Sequence, residues 1–130
     1  MHETPALREC FVGKAEGMLR DDISKMHGEE IWERWISIHP EDRDFAFPGG
    51  ESKSDHLKRL VQYVEEFCLN NSHYQRIAVS THGGSLRRFV HHCEGAPQEP
   101  APLPNCVLYK LSFEPTHRVW RFHKLIPATK

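Results

Sequence analysis

The sequence predicts an α/β fold with about three main strands and three or four helices in one domain, residues 1–130. A β-branched run over residues 76–80 predicts a buried strand, and a helical pattern over 85–93 follows it after two glycines. Near the carboxyl end, residues 107–113 and 118–125 predict two strands that pair as a hairpin around a turn at 114–117. A chain of 130 residues has the usual size of a single domain.

The first fifty or so residues predict two short helices between loops. Residues 5–17 are expected to be extended and then to form a loop. Asp21 is placed to cap a helix that ends near Met26, and Gly28 separates it from a second helix over 29–38. Residues 39–50 are rich in charge and close on Pro and Gly, which is typical of a loop.

A long amphipathic helix is predicted from Ser52 or Ser54 to about Asn70. Either serine can accept a hydrogen bond from a free backbone N–H group of the first turn. The apolar residues of this segment recur at intervals of three and four, which places them on one face: Leu57, Leu60, Val61, Val64, Phe67 and Cys68. A proline-rich crossover later connects the helix over 85–93 to the hairpin.

Composition argues against several classes of protein. The net charge is −1 and no basic block occurs, so nothing favours nucleic acid as a partner. No apolar stretch approaches the length of a membrane span. The four cysteines show no paired spacing and follow no signal peptide, which favours free thiols in a reducing cytoplasm. The run His91-His92-Cys93 resembles a metal cluster only in composition, because adjacent helical residues point about 100° apart.

The corner between the strand and helix around residue 82 predicts an anion site. Free N–H groups and the positive end of the helix dipole point outward from such a corner, and His82 adds its own positive charge. Gly83 would let the backbone approach a phosphate. The alternative is an ordinary corner with a solvated histidine and a glycine that only makes the turn.

Four segments together resemble the histidine phosphatase superfamily, also called the phosphoglycerate-mutase-like superfamily. They are L-R-E-C-F-V-G-K-A-E-G over 7–17, G-G-E-S over 49–52 with Arg59 beyond, S-T-H-G-G-S-L-R over 80–87, and P-N-C over 104–106. They occur in the family's order and at about its spacing. The resemblance implies a partial three-layer α/β/α fold, with helices on both faces of a mixed sheet that is reduced here to about three main strands.

The resemblance also implies chemistry. In this family a phosphohistidine carries phosphoryl transfer or phosphomonoester hydrolysis, without a metal or another cofactor, on phosphorylated small molecules. Glu9 matches the acid–base glutamate and His82 the second histidine of the phosphate pocket. Arg87 matches a family arginine, and the alternative is a solvated side chain with no role in the pocket. Asn105 either orients the pocket or caps a turn. Glu51 and Ser52 are expected to build the turn and the cap rather than to touch substrate.

The departure from the family is equally informative. Family members begin with a strand that ends in R-H-G, whose histidine is the nucleophile, and no such segment occurs in this sequence. The run M-H-E-T over 1–4 lacks the arginine and the glycine, so we interpret His2 as a frayed chain start. We therefore expect a C-terminal portion of a family domain, whether a fragment, a product of an altered gene start or a natural truncation, with little activity of its own.

The missing strand predicts an assembly. In the family it lies beside the strand that carries the second histidine, so residues 76–80 would have a bare hydrogen-bonding edge. We expect a homodimer or larger assembly that covers this edge, with residues near 76–82, or a swapped terminal segment such as residues 1–12, at the interface. Two functions follow as alternatives. The chain either contributes to a phosphatase or phosphomutase, or it is an inactive homologue that acts as an anion-binding or self-associating module.

Overall fold

The computed structural model describes residues 1–127, and in this range four α-helices precede a two-stranded antiparallel hairpin. The elements are α1 Arg20–His27, α2 Glu30–Ile36, α3 Lys53–Asn70, α4 Gly83–His92, β1 Leu108–Glu114 and β2 Val119–Ile126. Short 3-10 turns lie at Pro5–Leu7, Gly13–Ala15 and Pro40–Asp42. The predicted α/β class is confirmed.

The helix boundaries follow local chemistry. The Ser52 hydroxyl accepts a hydrogen bond from the Asp55 N–H at 3.1 Å and so caps α3, whereas Ser54 donates to Asp44 at 2.6 Å instead. Asp21 lies in the first turn of α1 rather than at its cap, where its charge still complements the helix dipole. Gly28 ends α1 with a φ of 90°, a conformation that favours glycine.

The N-terminal segment, predicted as extended, is instead curled into two 3-10 turns against the loop before α3. The Lys14 N–H donates to the Pro48 carbonyl at 2.9 Å, and the Glu51 N–H donates to the Phe11 carbonyl at 2.8 Å. Gly13 has a φ of +55°, and a Cβ at this position would lie 2.4 Å from the Gly49 backbone. This close approach fixes the segment that carries Glu9.

The predicted strand over 76–80 is not formed. The segment has no ladder partner among residues 1–127, whose sheet contains β1 and β2 alone. Burial was also expected here, but Ile77 and Val79 are 38% and 46% exposed. The physical reason is that a strand needs a neighbouring strand to pair its backbone N–H and C=O groups. β1 and β2 pair with each other, and no segment of the described chain forms such hydrogen bonds with residues 76–80.

Helix α4 connects the long helix to the hairpin. One core cluster joins residues of α3, α4 and β2: Leu60, Val64, Phe89, Cys93 and Trp120. A second joins α4, the crossover and β1: Val90, Ala101 and Tyr109. Beyond the end of α4, the Glu94 N–H donates to the Trp120 carbonyl at 2.9 Å and the Glu94 carbonyl accepts from Phe122 at 2.8 Å. Helix α4 is therefore held between α3 and the hairpin.

A separate core cluster supports α1 and α2, built from Ala15, Ile23, Ile31, Phe45 and Phe47. Lys53 ties this part to α3, because its buried ammonium donates to the Arg34 and Ser37 carbonyls at 2.7 Å. The four cysteines form no disulfide. Within the described part of the chain, no helix is both long and apolar enough to cross a membrane.

Candidate active site

The Glu9 carboxylate lies at the amino end of α4. Its Oε2 accepts a hydrogen bond from the Gly84 N–H at 2.8 Å, and its Oε1 accepts from the Cys10 N–H at 2.9 Å. The Ser85 hydroxyl lies 3.3 Å from Oε1. The corner that the sequence predicts as an anion site thus has the geometry to hold an anion, and in this structure the anion is the chain's own carboxylate.

The positions of His82, Gly83 and Gly84 around this carboxylate differ from the sequence-based expectation. His82 is the exposed N-cap residue of α4, and its side chain makes no capping hydrogen bond. A Cβ at Gly84 would lie 2.7 Å from Glu9 Oε1, whereas one at Gly83 would meet Leu103 Cδ1 at 3.1 Å. The close approach of backbone and anion therefore depends on Gly84, not on Gly83 as the sequence suggested.

Arg59 holds the loop that carries Glu9. Its guanidinium binds the Glu51 carboxylate through two hydrogen bonds, of 2.9 and 2.8 Å. The same group donates to the carbonyls of Ala6 at 2.7 Å, Arg8 at 3.0 Å and Glu9 at 3.3 Å. The hydrogen bonds from Arg59 lower the pKa of Glu51, so the ion pair stays charged at neutral pH. Glu51 thus builds the turn, in line with the expectation.

A buried histidine and serine lie behind Glu9. His56 has no exposed surface, and its Nε2 lies 2.8 Å from Ser85 Oγ and 3.9 Å from Glu9 Oε1. Burial, with the nearby charges of Arg88 and Arg59, lowers the pKa of His56 to about 4, so the ring is neutral at pH 7. The sequence analysis missed this pair, because His56 is a polar residue beside the apolar stripe of α3 and pairs with a residue on another helix.

Arg87 and Asn105 lie apart from the carboxylate. Arg87, one turn into α4, donates from Nε to the Ala101 carbonyl at 3.0 Å and so supports the crossover. Asn105 is exposed in the loop before β1, and no hydrogen bond joins its side chain to Glu9 or α4 within residues 1–127. The structure thus brings Glu9 to the helix that His82 begins, and it leaves Asn105 outside this group.

A cationic cleft of about 420 Å³ begins at Gly84 and follows α4. Its walls carry four basic side chains and three histidines: Arg43, Lys53, Arg87, Arg88, His39, His91 and His92. The Arg88 guanidinium lies 4.2 Å from the Trp35 ring centroid and donates to the Gly84 carbonyl at 3.2 Å. The sequence alone could not reveal this cleft, because its charges come from three separate segments: the loop over 39–43, the start of α3 and helix α4.

Comparison with known proteins agrees with this geometry. The sequence model of the histidine phosphatase superfamily (branch 1) matches residues 1–125, so the chain belongs to that family. It is also similar to 2,3-bisphosphoglycerate-dependent phosphoglycerate mutases from bacteria. The protein from Afipia carboxidovorans is 38% identical over 89 residues, which cover 65% of this chain and 40% of the relative. The one from Gloeothece citriformis is 31% identical over 107 residues, which cover 79% and 42%. The chain spans about two fifths of the length of these curated relatives.

The buried pair of His56 and Ser85 generates a stability prediction. Replacing Ser85 with alanine leaves the buried His56 Nε2 without its partner, which should lower the free energy of unfolding by about 1–3 kcal/mol. The chain offers a matched control: Ser112 lies 2.7 Å from His123 Nε2 in an exposed pair, where water can replace the hydroxyl. Ser112→Ala should change the free energy of unfolding by no more than about 0.5 kcal/mol. Urea unfolding of both variants measures these free energies. Equal losses in the two variants would contradict the prediction that the buried hydrogen bond contributes more than the exposed one.

Proposed function

We propose that this chain supplies the acid–base glutamate and the second histidine of a site that transfers or hydrolyses phosphoryl groups through a phosphohistidine. The observation that carries the proposal is the Glu9 carboxylate bound to the Gly84 N–H, two residues beyond His82 in a helix start. Family membership supports the reaction class.

The chemistry fits these residues. Phosphoryl transfer spreads negative charge over three equatorial oxygens and needs a proton for the departing oxygen. The N–H groups at the start of α4 and the exposed His82 would stabilise the charge, and Glu9 would donate the proton. Oxygens of the substrate would then take the place beside Gly84 that the Glu9 carboxylate occupies here.

The substrate we propose is a phosphorylated small molecule. Two observations support it: the cationic cleft that begins at Gly84, and the printed name of the relatives, which are phosphoglycerate mutases dependent on 2,3-bisphosphoglycerate. Arg43 and Arg87 in the cleft walls are suited to the remaining anionic groups of such a molecule, because guanidinium binds carboxylate and phosphate through two parallel hydrogen bonds. A mutase and a phosphatase are both compatible with this site.

The nucleophile of this chemistry would come from outside the 130 residues. The sequence contains no R-H-G segment. The ring of His2 packs edge-on against Phe67, with centroids 5.2 Å apart. Phe67 lies eleven residues beyond His56 on α3, or about 16 Å along the helix axis. This distance supports the interpretation that His2 does not attack a phosphate bound near Glu9.

The first test concerns turnover by the chain itself. Without the covalent route through a nucleophile, the rate on p-nitrophenyl phosphate or on phosphoglycerates should be lower than that of a complete enzyme by several orders of magnitude. Steady-state assays in the presence of a chelator measure it. A metal-independent rate of ordinary enzyme size that His82→Ala abolishes would contradict the proposal, because another group in this chain would then be the nucleophile.

The second test concerns the anion site. Phosphate should bind weakly beside His82 and compete with the Glu9 carboxylate for the start of α4. Glu9→Gln removes the competing charge and should tighten phosphate binding about three- to tenfold, which is about 1 kcal/mol. The exposed Glu3→Gln is the control and should change nothing.

The Gly84 amide and the His82 ring report this binding through their NMR chemical shifts. Absence of any shift up to tens of millimolar phosphate, about the limit of weak affinity, would argue against the anion site. Weaker binding by Glu9→Gln than by the unaltered chain would argue against the competition.

A second candidate function is self-association through residues 76–82. The observation in its favour is the exposure of Ile77 and Val79 on a segment that has no ladder partner in residues 1–127. The N-terminal segment of residues 1–12, the other candidate for the interface, contacts only the end of this segment, where the Thr81 hydroxyl donates to the Leu7 carbonyl at 2.7 Å. Pairing with the same segment of a second copy would satisfy both edges about a two-fold axis.

Sedimentation at micromolar concentration tests this candidate. We expect a dimer or larger species, and Val79→Asp should convert it to a monomer. The control is Leu19→Asp, which changes an exposed leucine at the N-cap of α1 and should leave the assembly unchanged. A monomer whose Ile77 and Val79 amides exchange rapidly with solvent would show that the segment is tolerated without a partner.

A further inference from the structure

We propose that Cys10, Glu51 and His56 form a binding site for a thiophilic divalent cation, Zn²⁺ in particular. One potential ligand atom from each residue lies within 4.8 Å of the other two: the Cys10 sulfur, a carboxylate oxygen of Glu51 and a ring nitrogen of His56. The family chemistry described above uses no metal, so this site is additional to the proposed phosphoryl transfer.

The chemistry of the three groups favours zinc. Thiolate, imidazole and carboxylate are its three common protein ligands, at about 2.3, 2.0 and 2.1 Å, which places neighbouring ligand atoms of a tetrahedron about 3.3–3.7 Å apart. Because these atoms lie no more than 4.8 Å apart, they would need to converge by at most about 1.5 Å. Cys10 is 4% exposed and His56 is fully buried, so few water molecules compete for the position, and the fourth ligand would be water.

The hydrogen bonds of His56 leave the correct nitrogen for a metal. Ser85 Oγ has the Arg8 carbonyl and the Glu9 carboxylate, both at 3.3 Å, as acceptors for its single proton. When that proton is given to either acceptor, Ser85 accepts from His56 Nε2–H, and this tautomer has its lone pair on Nδ1. Nδ1 is buried and has no hydrogen-bond partner among residues 1–127. A buried nitrogen lone pair without a partner is uncommon, and a bound cation would satisfy it.

The charges around the site also permit a cation. Arg59 uses one lone pair on each Glu51 oxygen, and each oxygen has a second that can face a metal. Binding converts the Cys10 thiol into a zinc-bound thiolate and releases one proton to solvent. The thiolate, Glu51 and Glu9 would then supply three negative charges, which match the three positive charges of Arg59, Arg88 and Lys53 that act on Cys10 or His56.

Metal titration of the 130-residue chain tests the site. With Co²⁺ as a spectroscopic probe, we expect a thiolate-to-metal charge-transfer band that saturates at about one equivalent and disappears when Zn²⁺ displaces it. Cys10→Ser should abolish the band, and His56→Gln should weaken Zn²⁺ binding at least tenfold. The exposed Cys106→Ser and His123→Gln are matched controls and should keep both the band and the affinity.

A band that survives Cys10→Ser, a band that Cys106→Ser abolishes, or no band at all would overturn the proposal. X-ray absorption at the zinc edge of the unaltered chain, loaded with one equivalent, needs no variant and so does not depend on whether Cys10→Ser folds. One sulfur with at least one imidazole in the first shell supports the site. A first shell of nitrogen and oxygen alone would assign the metal to surface histidines and refute it.

Discussion

The guanidinium of Arg59 is the constraint on which the candidate site depends. It gathers the Glu51 carboxylate and three carbonyls of the N-terminal segment around one side chain of α3. A planar group with five donors suits this task, whereas a lysine ammonium offers three donors and no fork. Because the carbonyl of Glu9 is one of the acceptors, the position of Glu9 relative to α3 is set by this interaction.

Helix α4 provides the other half of the site. Its core contacts to α3 and the hairpin fix where its first turn lies, and that turn presents the Gly84 N–H to the Glu9 carboxylate. Ser85, the next residue, contacts the buried His56 and the same carboxylate. Glu9 is therefore held by α4 on one side and, through Arg59, by α3 on the other. In the proposed reaction, a carboxyl group at this place would, once protonated, deliver its proton to an oxygen that binds at the same helix start.

Much of the fold follows from local patterns in the sequence. The apolar stripe and a serine cap, at Ser52 or Ser54, predict α3 and its end at Asn70, and the alternating segments predict the hairpin, because these elements depend on neighbours close in sequence. The segment 76–80 has an equally good strand pattern, yet it forms no ladder in the described chain. A strand forms only where another strand pairs with it, so the residue pattern of one segment cannot decide whether that segment becomes a strand.

The candidate site is likewise predictable from the sequence only in part. The resemblance to the family implies that Glu9 and His82 share one pocket, whereas the geometry of a helix start predicts only the anion site at His82. They do not reveal what Arg59 binds, nor that His56 is buried, because both facts depend on how α3 packs against α4 and the N-terminal segment. The exchange of roles between Gly83 and Gly84 is another example, since only the packing of Glu9 distinguishes two adjacent glycines.

The central claim is that Glu9 is bound to the start of α4, and an NMR pH titration tests it most directly. If the hydrogen bond from Gly84 exists in solution, the Gly84 amide shift should follow the ionisation of the Glu9 carboxyl carbon with the same midpoint. The pH response should disappear in Glu9→Gln and shrink in Arg59→Lys, which loosens the loop. A Gly84 amide shift that does not change as the Glu9 carboxyl ionises, or that changes equally with pH in Glu9→Gln, would contradict the account.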